Sequence, residues 1–215
     1  GRASKLKKLL QSPFTLHARI LELIRREAAN AHAGKPARII AKMNSLVEMN
    51  VISALYEASA AGVKIDLIVR GICCLIPGKQ GLSDNISGIS IVDRYLEHSR
   101  VYWFHHSGEE KIFISSSDWM VRNLHFRIEV AFPVEDGMAR ERIVEEVLAV
   151  SLADNLKARE LTPDGTYRLP VLGRTVVGRR SQAEFMALAQ AEERVPGTAR
   201  KSKDAVPKMT LEPRP

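Results

Sequence analysis

The 215-residue chain is 45% hydrophobic and 27% charged, which describes one ordinary globular domain and excludes a fibrous or low-complexity protein. Its formal net charge of +7 favours a polyanionic partner such as nucleic acid, an anionic membrane or polyphosphate. No apolar run approaches the roughly 18–20 residues of a membrane span, and the N-terminus lacks the apolar core of a signal peptide. We therefore expect a cytoplasmic protein, with peripheral membrane association left open.

The first helix and the first strand are predicted near the N-terminus. Ser12 and Pro13 form a typical helix start, with a capping residue followed by proline. Apolar residues then recur at helical spacing until a stop at Gly34. The short apolar run 38–43 predicts a buried strand.

A second helix and strand follow directly. Ser45 and Glu48 predict a capping box that opens a helix ending at Gly62. The β-branched run 65–69 predicts a strand that is covered on both faces. This alternation is typical of parallel strands joined by right-handed crossovers.

The second half of the chain predicts more strands and fewer helices. Further strands are expected at 101–104, 111–115 and 127–134, the first two joined by a hairpin, and helices after Gly137 and at 181–193. The fold class is therefore α/β, with a mixed β-sheet flanked by helices. We expect a main domain at 1–170, a helical extension at 171–195, and a basic, disordered tail at 196–215, where four of the ten prolines lie.

Two residues at predicted strand ends are the first candidates for a binding site. Arg70 directly follows the strand 65–69 and precedes Gly71, which permits close approach by a ligand or by backbone. His98 precedes the strand 101–104, and imidazole suits proton transfer or a hydrogen bond to phosphate. Because strand ends hold ligands in α/β sheets and guanidinium groups fit phosphate oxygens, we predict a phosphate site. A surface ion pair for Arg70 and a structural role for His98 are the alternatives.

A second group of polar residues is predicted to support that site. A chain of phosphates requires several cations, neutral donors, and carboxylates that hold the cations in place. This group consists of Lys42, Asn44, Arg94, Arg100, Ser116, Asp118, Arg122 and Arg127, with Glu129 as a further carboxylate. Each of the basic residues alone is more typical of a solvated or structural charge, and together they favour a phosphate site. No residues have metal-ligand spacing, so no metal site is assigned.

Residues 10–168 resemble the C-terminal, phospholipase-D-like domain of bacterial polyphosphate kinases. The resembling segments, which cover about three quarters of the chain, are SPFTLHARILELIRREAANAHAGKPARIIAKMNSLVE, ALYEASAAGVKIDLIVRGICCLIPG, GLSDNI, SIVDRYLEHSRVYWF and SSSDWMVRNLHFRIEVAFPV. Within them, His98 and the Ser115 to Asp118 turn resemble a degenerate phospholipase D half-motif. Arg100 stands where that superfamily has Lys, and Asp118 where it has Asn.

The resemblance implies reversible transfer of the ATP γ-phosphate to inorganic polyphosphate through a phosphohistidine. In that family the Arg of the VRGxC segment contacts the phosphates of ATP or ADP, and Arg70 matches it. His98 is then expected to bind phosphate and assist catalysis. The phosphohistidine and most ligands of Mg²⁺ are implied to lie in a preceding domain. We therefore expect an inactive fragment of an enzyme that is a homo-oligomer at full length.

Two alternatives of other classes stay open. One is a phosphodiesterase or nuclease of the phospholipase D type, which the departures at Arg100 and Asp118 disfavour. The other is a non-catalytic module that binds polyanions by charge. We expect no specific nucleic-acid recognition, because few exposed aromatic residues accompany the basic ones.

Overall fold

The fold is built on one nine-stranded mixed sheet, described by a computed structural model for residues 6–173 and 175–193. The strands are β1 (Leu10–Ser12), β2 (Arg38–Met43), β3 (Lys64–Val69), β4 (Ile86–Ile91), β5 (Arg100–Phe104), β6 (Lys111–Ser115), β7 (Glu129–Pro133), β8 (Ala158–Leu161) and β9 (Tyr167–Arg168). Their order across the sheet is β1-β7-β6-β5-β2-β3-β4-β8-β9. The predicted α/β class with a mixed sheet is confirmed.

The parallel part of the sheet lies at its centre. Strands β2, β3 and β4 are parallel, while β5 runs antiparallel to β2 on its other side. Strands β5 and β6 form the predicted hairpin, in which Arg100 lies opposite Ser115. As a result, the ends of β2, β3 and β6 and the starts of β5 and β7 lie along one edge of the sheet.

Helices cover both faces of the sheet. They are α1 (Leu16–His32), α2 (Met49–Ala60), α3 (Gly137–Arg142), α4 (Val150–Leu152) and α5 (Ser181–Glu193), with π-helical segments at Arg122–Phe126 and Ile143–Ala149. One core lies between α1, α2 and the sheet, and it includes the fully buried Leu55 and Trp119. The other face packs against the helical stretch that contains Leu148. Among the helices of residues 6–173 and 175–193, none has the length and apolar character needed to cross a bilayer.

Two predicted helix starts are wrong. Ser12 ends strand β1, its bond to Pro13 is cis, and α1 begins only at Leu16. Ser45 does not cap α2; instead the Glu48 carboxylate accepts a hydrogen bond of 2.8 Å from the Val51 amide. In both places the chain is held by tertiary contacts that local capping patterns do not include.

The extension after residue 170 contains the predicted helix, α5. Its buried residues are Ser181 and Gln182 at its start. The predicted tail 196–215 lies outside the described residues, and the proposed domain boundaries stay predictions.

Candidate functional site

The predicted site residues meet at the edge of the sheet where five strand ends lie together. A cavity of about 580 Å³ opens there. It is lined by Asn44, Ser45, Arg70, Gly71, His98, Arg100, Ser116, Asp118, Arg122, Asn123, Arg127 and Glu129. Both first-rank candidates and six of the eight supporting residues are therefore brought together around one pocket.

Asp118 organises the floor of this pocket. Its carboxylate accepts a hydrogen bond of 2.9 Å from the Arg100 guanidinium, and both side chains are buried. It also accepts bonds from the backbone amides of Asn44, at 2.7 Å, and Ser45, at 3.2 Å. Burial, the largest single effect, raises the pKa of Asp118, but these bonds outweigh it and the pKa is lowered. The carboxylate is thus ionised at neutral pH.

Arg70 is positioned by Asn44 and leaves its terminal amino groups available. Its Nε donates a 2.6 Å hydrogen bond to Oδ1 of Asn44, whose Nδ2 in turn donates to Asp118. Within the described part of the chain, the two terminal nitrogens of Arg70 have no hydrogen-bond partner. Gly71 allows this arrangement, since a Cβ there would lie 2.8 Å from the Asn44 carbonyl oxygen. The group that closely approaches Gly71 is therefore the backbone of Asn44.

His98 is exposed at the mouth of the pocket, and Arg100 sets its tautomer. Nη1 of Arg100 lies 2.7 Å from Nδ1 of His98. A guanidinium can only donate, so Nδ1 must accept and the neutral ring carries its proton on Nε2. No other residue in 6–173 or 175–193 hydrogen bonds to that ring. The Nε2–H group is thus free to donate to a ligand in the pocket.

A loop that carries two arginines forms the opposite side of the pocket. Arg122 opens the π-helical turn Arg122–Phe126, Arg127 follows it, and both side chains are exposed. Glu129 was predicted to hold arginines, but it accepts hydrogen bonds from Asn123, at 2.6 Å, and from Ser116. It therefore fixes the loop that bears the arginines, and neither guanidinium has an ion pair within the described residues.

Two of the predicted supporting residues, Lys42 and Arg94, do not line the pocket. Lys42 is buried on β2, where its Nζ lies 2.6 Å from a carboxylate oxygen of Glu97. The Arg94 side chain is exposed and lies over the ring of Tyr95, 5.3 Å from its centroid. Lys42 has the strand parity of Ile40, so its side chain faces the helical stretch that contains Leu148 and not the pocket.

Sequence reasoning missed the residues that support the segment carrying His98. Gln182 of α5 donates to Glu97, at 2.9 Å, and exchanges two hydrogen bonds with the backbone of Tyr95. These partners are far apart in the sequence and follow no short motif. Ser45 also lines the pocket without having been predicted; its place directly after Asn44 was the only available signal.

The sheet and its helices have a phospholipase-D-like fold, with a pocket lined by several cationic side chains. The fold is similar to that of a phospholipase D family member, Nuc from Salmonella typhimurium, with a TM-score of 0.52 and 13% identity over 72% of this chain and 97% of that chain. At this identity the likeness concerns the fold alone. Residues 9–177 match a narrower family, and the chain belongs to the polyphosphate kinase C-terminal domain 2 family.

Individual relatives agree with this family. The chain is 56% identical over 187 residues to the polyphosphate kinase of Burkholderia multivorans, covering 87% of this chain and 27% of that protein. It is 56% identical over 167 residues to that of Neisseria meningitidis, covering 78% of this chain and 24% of that protein. The crystal structure of polyphosphate kinase from Porphyromonas gingivalis matches with a TM-score of 0.84 and 41% identity, over 90% of this chain and 30% of that one. The chain thus spans about a quarter of the length of these curated relatives.

Proposed function

We propose that this domain forms one side of the ATP and polyphosphate site of a polyphosphate kinase. The observation that carries the proposal is the pairing of Arg70 and His98 at one pocket, each fixed through the network around Asp118. Both side chains keep donors that have no partner in the described part of the chain. Phosphoryl transfer depends mainly on such pre-positioned positive charge and hydrogen-bond donors.

Arg70 binds the nucleotide phosphates in this account. Its Nε bond to Asn44 fixes the plane of the guanidinium, and the two terminal nitrogens can then donate in parallel to phosphate oxygens. Arg122 and Arg127, on the opposite side of the pocket, supply further charge for ATP or for the polyphosphate chain. Because binding groups that are already held in place lose little freedom when the ligand arrives, the entropic cost of binding is lower.

His98 assists the transfer by donating from Nε2. In the reaction, the bond from the γ-phosphorus to the ADP oxygen breaks and a bond to a histidine nitrogen forms. The phosphoryl group then passes to the terminal oxygen of polyphosphate, and both steps are reversible. The Nε2–H of His98 donates a hydrogen bond to a phosphate oxygen as charge develops there.

The same tautomer disfavours a phosphodiesterase of the phospholipase D type. A nucleophilic histidine would need a lone pair on the nitrogen that faces the substrate. Here Arg100 donates to Nδ1, so the neutral ring has no lone pair on Nε2. The nucleophilic histidine is therefore assigned to another domain, as the relatives' greater length allows.

The pocket does not fit Mg²⁺ as a protein-bound ion. Its carboxylates, Asp118 and Glu129, already accept bonds from arginine, amide and hydroxyl donors. The other side chains around it are mainly cationic, whereas Mg²⁺ prefers free carboxylate and phosphate oxygens. We therefore expect the Mg²⁺ of the reaction to be bound by the phosphates and by other domains. No step that this chain carries out is assigned to the ion.

The remaining partners follow from the same assignment. Inorganic polyphosphate and ATP or ADP are the substrates, and the preceding domains of the full-length enzyme close over the open side of the pocket. The homo-oligomer and the cytoplasmic location stay predictions. A module that binds any polyanion by charge is the rival that an experiment must distinguish.

Titration of the chain with a non-hydrolysable ATP analogue at moderate salt tests the proposal. We expect saturable binding that an Arg70→Ala, His98→Ala double variant weakens at least about tenfold, since a hydrogen bond to a charged group contributes roughly 1.5–3 kcal/mol. The control is Arg25→Ala, because Arg25 is an exposed arginine of α1 outside the pocket. Equal losses in all variants, equal competition by single-stranded DNA, or no binding by the unmodified chain would contradict the proposal.

A further inference from the structure

Three potential metal ligands from three separate elements meet beside the phosphate pocket. His17 lies in the first turn of α1, Glu48 directly precedes α2, and His125 lies in the π-helical turn Arg122–Phe126. One nitrogen or oxygen atom from each of the three side chains lies within 4.8 Å of the other two. Since none of the three lines the pocket, they form a cluster distinct from the phosphate site.

The contacts within the cluster are long for hydrogen bonds. Nε2 of His17 is 3.3 Å from one carboxylate oxygen of Glu48, and Nε2 of His125 is 3.5 Å from the other. Good N–H···O bonds are about 2.7–3.2 Å. Around tetrahedral Zn²⁺, with metal–ligand bonds of about 2.0–2.1 Å, ligand atoms are about 3.3 Å apart. The two nitrogen–oxygen distances are close to this value, and since the three ligand atoms lie within 4.8 Å of one another, small side-chain movements would bring them around one ion.

Glu48 is the buried member of the cluster. Its side chain is 4% exposed, whereas those of His17 and His125 are 18% and 35% exposed, so the cluster opens to solvent on the imidazole side. Its carboxylate accepts hydrogen bonds from the Val51 amide, at 2.8 Å, and from the Asn50 side chain, at 3.0 Å. The carboxylate is thus fixed in place before any ion binds.

We propose that His17, Glu48 and His125 form a binding site for a divalent transition-metal ion, with Zn²⁺ the best match. Two imidazoles and one carboxylate are a common zinc ligand set, in which water takes the fourth position. Imidazole ligands select zinc and its neighbours over Mg²⁺ and Ca²⁺, which prefer oxygen. The sequence assigned no metal because the three residues are far apart and lack a spacing motif.

The bound ion would hold in place the loop that carries Arg122 and Arg127. His125 belongs to the same turn as Arg122, and Arg127 follows that turn directly. A bond from the metal to His125 connects this turn to the starts of α1 and α2, and both helices pack in the core. Zinc therefore fixes the position of one side of the phosphate pocket without contacting phosphate.

Metal titration of the full 215-residue chain tests the site directly. We expect one Zn²⁺ per chain by calorimetry, a rise in melting temperature on adding Zn²⁺, and no comparable response to Mg²⁺. Co²⁺ in place of Zn²⁺ should give the visible absorption of a four-coordinate ion. A His17→Ala, His125→Ala variant should weaken zinc binding by more than about 100-fold, because even loss of an outer-shell partner costs up to that much.

Matched controls separate this site from general zinc binding by histidine. His32 is an exposed histidine on the same helix as His17, and His106 lies in the β5–β6 turn. His32→Ala and His106→Ala should bind zinc as the unmodified chain does. If the double variant folds poorly, the single variant His125→Gln tests the same site, because it keeps the size and polarity of the side chain.

Three results would overturn the proposal. They are zinc binding that survives in the His125→Gln variant, zinc binding that requires His98 instead, or equal affinity for Mg²⁺ and Zn²⁺. None of these measurements involves nucleotide, so the zinc site and the ATP site succeed or fail independently.

Discussion

Asp118 is the residue on which the pocket depends most. Its single carboxylate binds the Arg100 guanidinium and the backbone after β2, and through Asn44 it positions Arg70. An ionised carboxylate allows two arginines and a histidine to be held close together, because it offsets part of their charge repulsion. Asp118 stands where the phospholipase D half-motif has asparagine, and the ion pair with Arg100 gives this carboxylate a structural role.

Asp118→Asn should therefore destabilise the protein. It leaves the buried Arg100 charge without its partner, a change that typically costs about 3 kcal/mol or more. Urea unfolding measures the difference. The control Glu141→Gln, at an exposed glutamate of α3, should change the free energy of unfolding by less than about 0.5 kcal/mol.

The effect of Asp118→Asn should also depend on pH in one direction. The pKa of Asp118 is lowered in the folded protein, so its contribution is complete above the unfolded pKa of about 3.9 and is lost as pH falls through the folded pKa. The stability difference between the two proteins should be constant from neutral pH down to about pH 4 and narrow below it. A difference that disappears between pH 5 and 7 would show that another group is responsible.

At the scale of elements, helix α5 supports the segment that carries His98. Gln182 at its start is buried and bonded to Tyr95 and Glu97, and Arg180 just before it forms a two-bond ion pair with Asp93. Glu97 in turn pairs with Lys42 on the central strand β2. The extension thus connects the sheet to the backbone three residues before His98.

Gln182→Ala should loosen this segment. Removal of the Gln182 side chain leaves Glu97 and the Tyr95 backbone without the hydrogen bonds that it makes. Such a loss typically lowers the free energy of unfolding by about 1–3 kcal/mol. Hydrogen exchange at residues 93–99 should rise and ATP-analogue affinity should fall, although Gln182 does not line the pocket. Gln190→Ala, an exposed position on the same helix, is the control, and equal behaviour of the two variants would refute a supporting role for α5.

Elements with a strong local pattern were predictable, and those defined by tertiary contacts were not. Strands β2 and β3 are mainly apolar, with two charged residues each, so their burial is visible in the sequence. Strand β4, with serines and a glycine among its isoleucines, carries a weaker pattern and was missed. The start of α2 was misplaced because Glu48, the predicted second member of the capping box, is itself the N-cap.

The topology of the sheet explains which of the predicted residues line one pocket. Arg70 and His98 lie at strand ends, and the ends of neighbouring strands meet at one edge of the sheet. Lys42 lies within a strand, where alternation directs its side chain to the face covered by the helical stretch that contains Leu148. The His17, Glu48 and His125 cluster could not be predicted, because it joins three elements that only the folded chain brings together.

We propose that Arg70 of this domain binds the nucleotide phosphates in a polyphosphate kinase site. The most direct test replaces the matching segment of the Burkholderia multivorans relative with this chain and measures ATP-dependent polyphosphate synthesis. We predict an active hybrid that Arg70→Ala slows at least about tenfold and Arg25→Ala leaves unchanged. An inactive hybrid, or one whose activity does not depend on Arg70, would contradict the account.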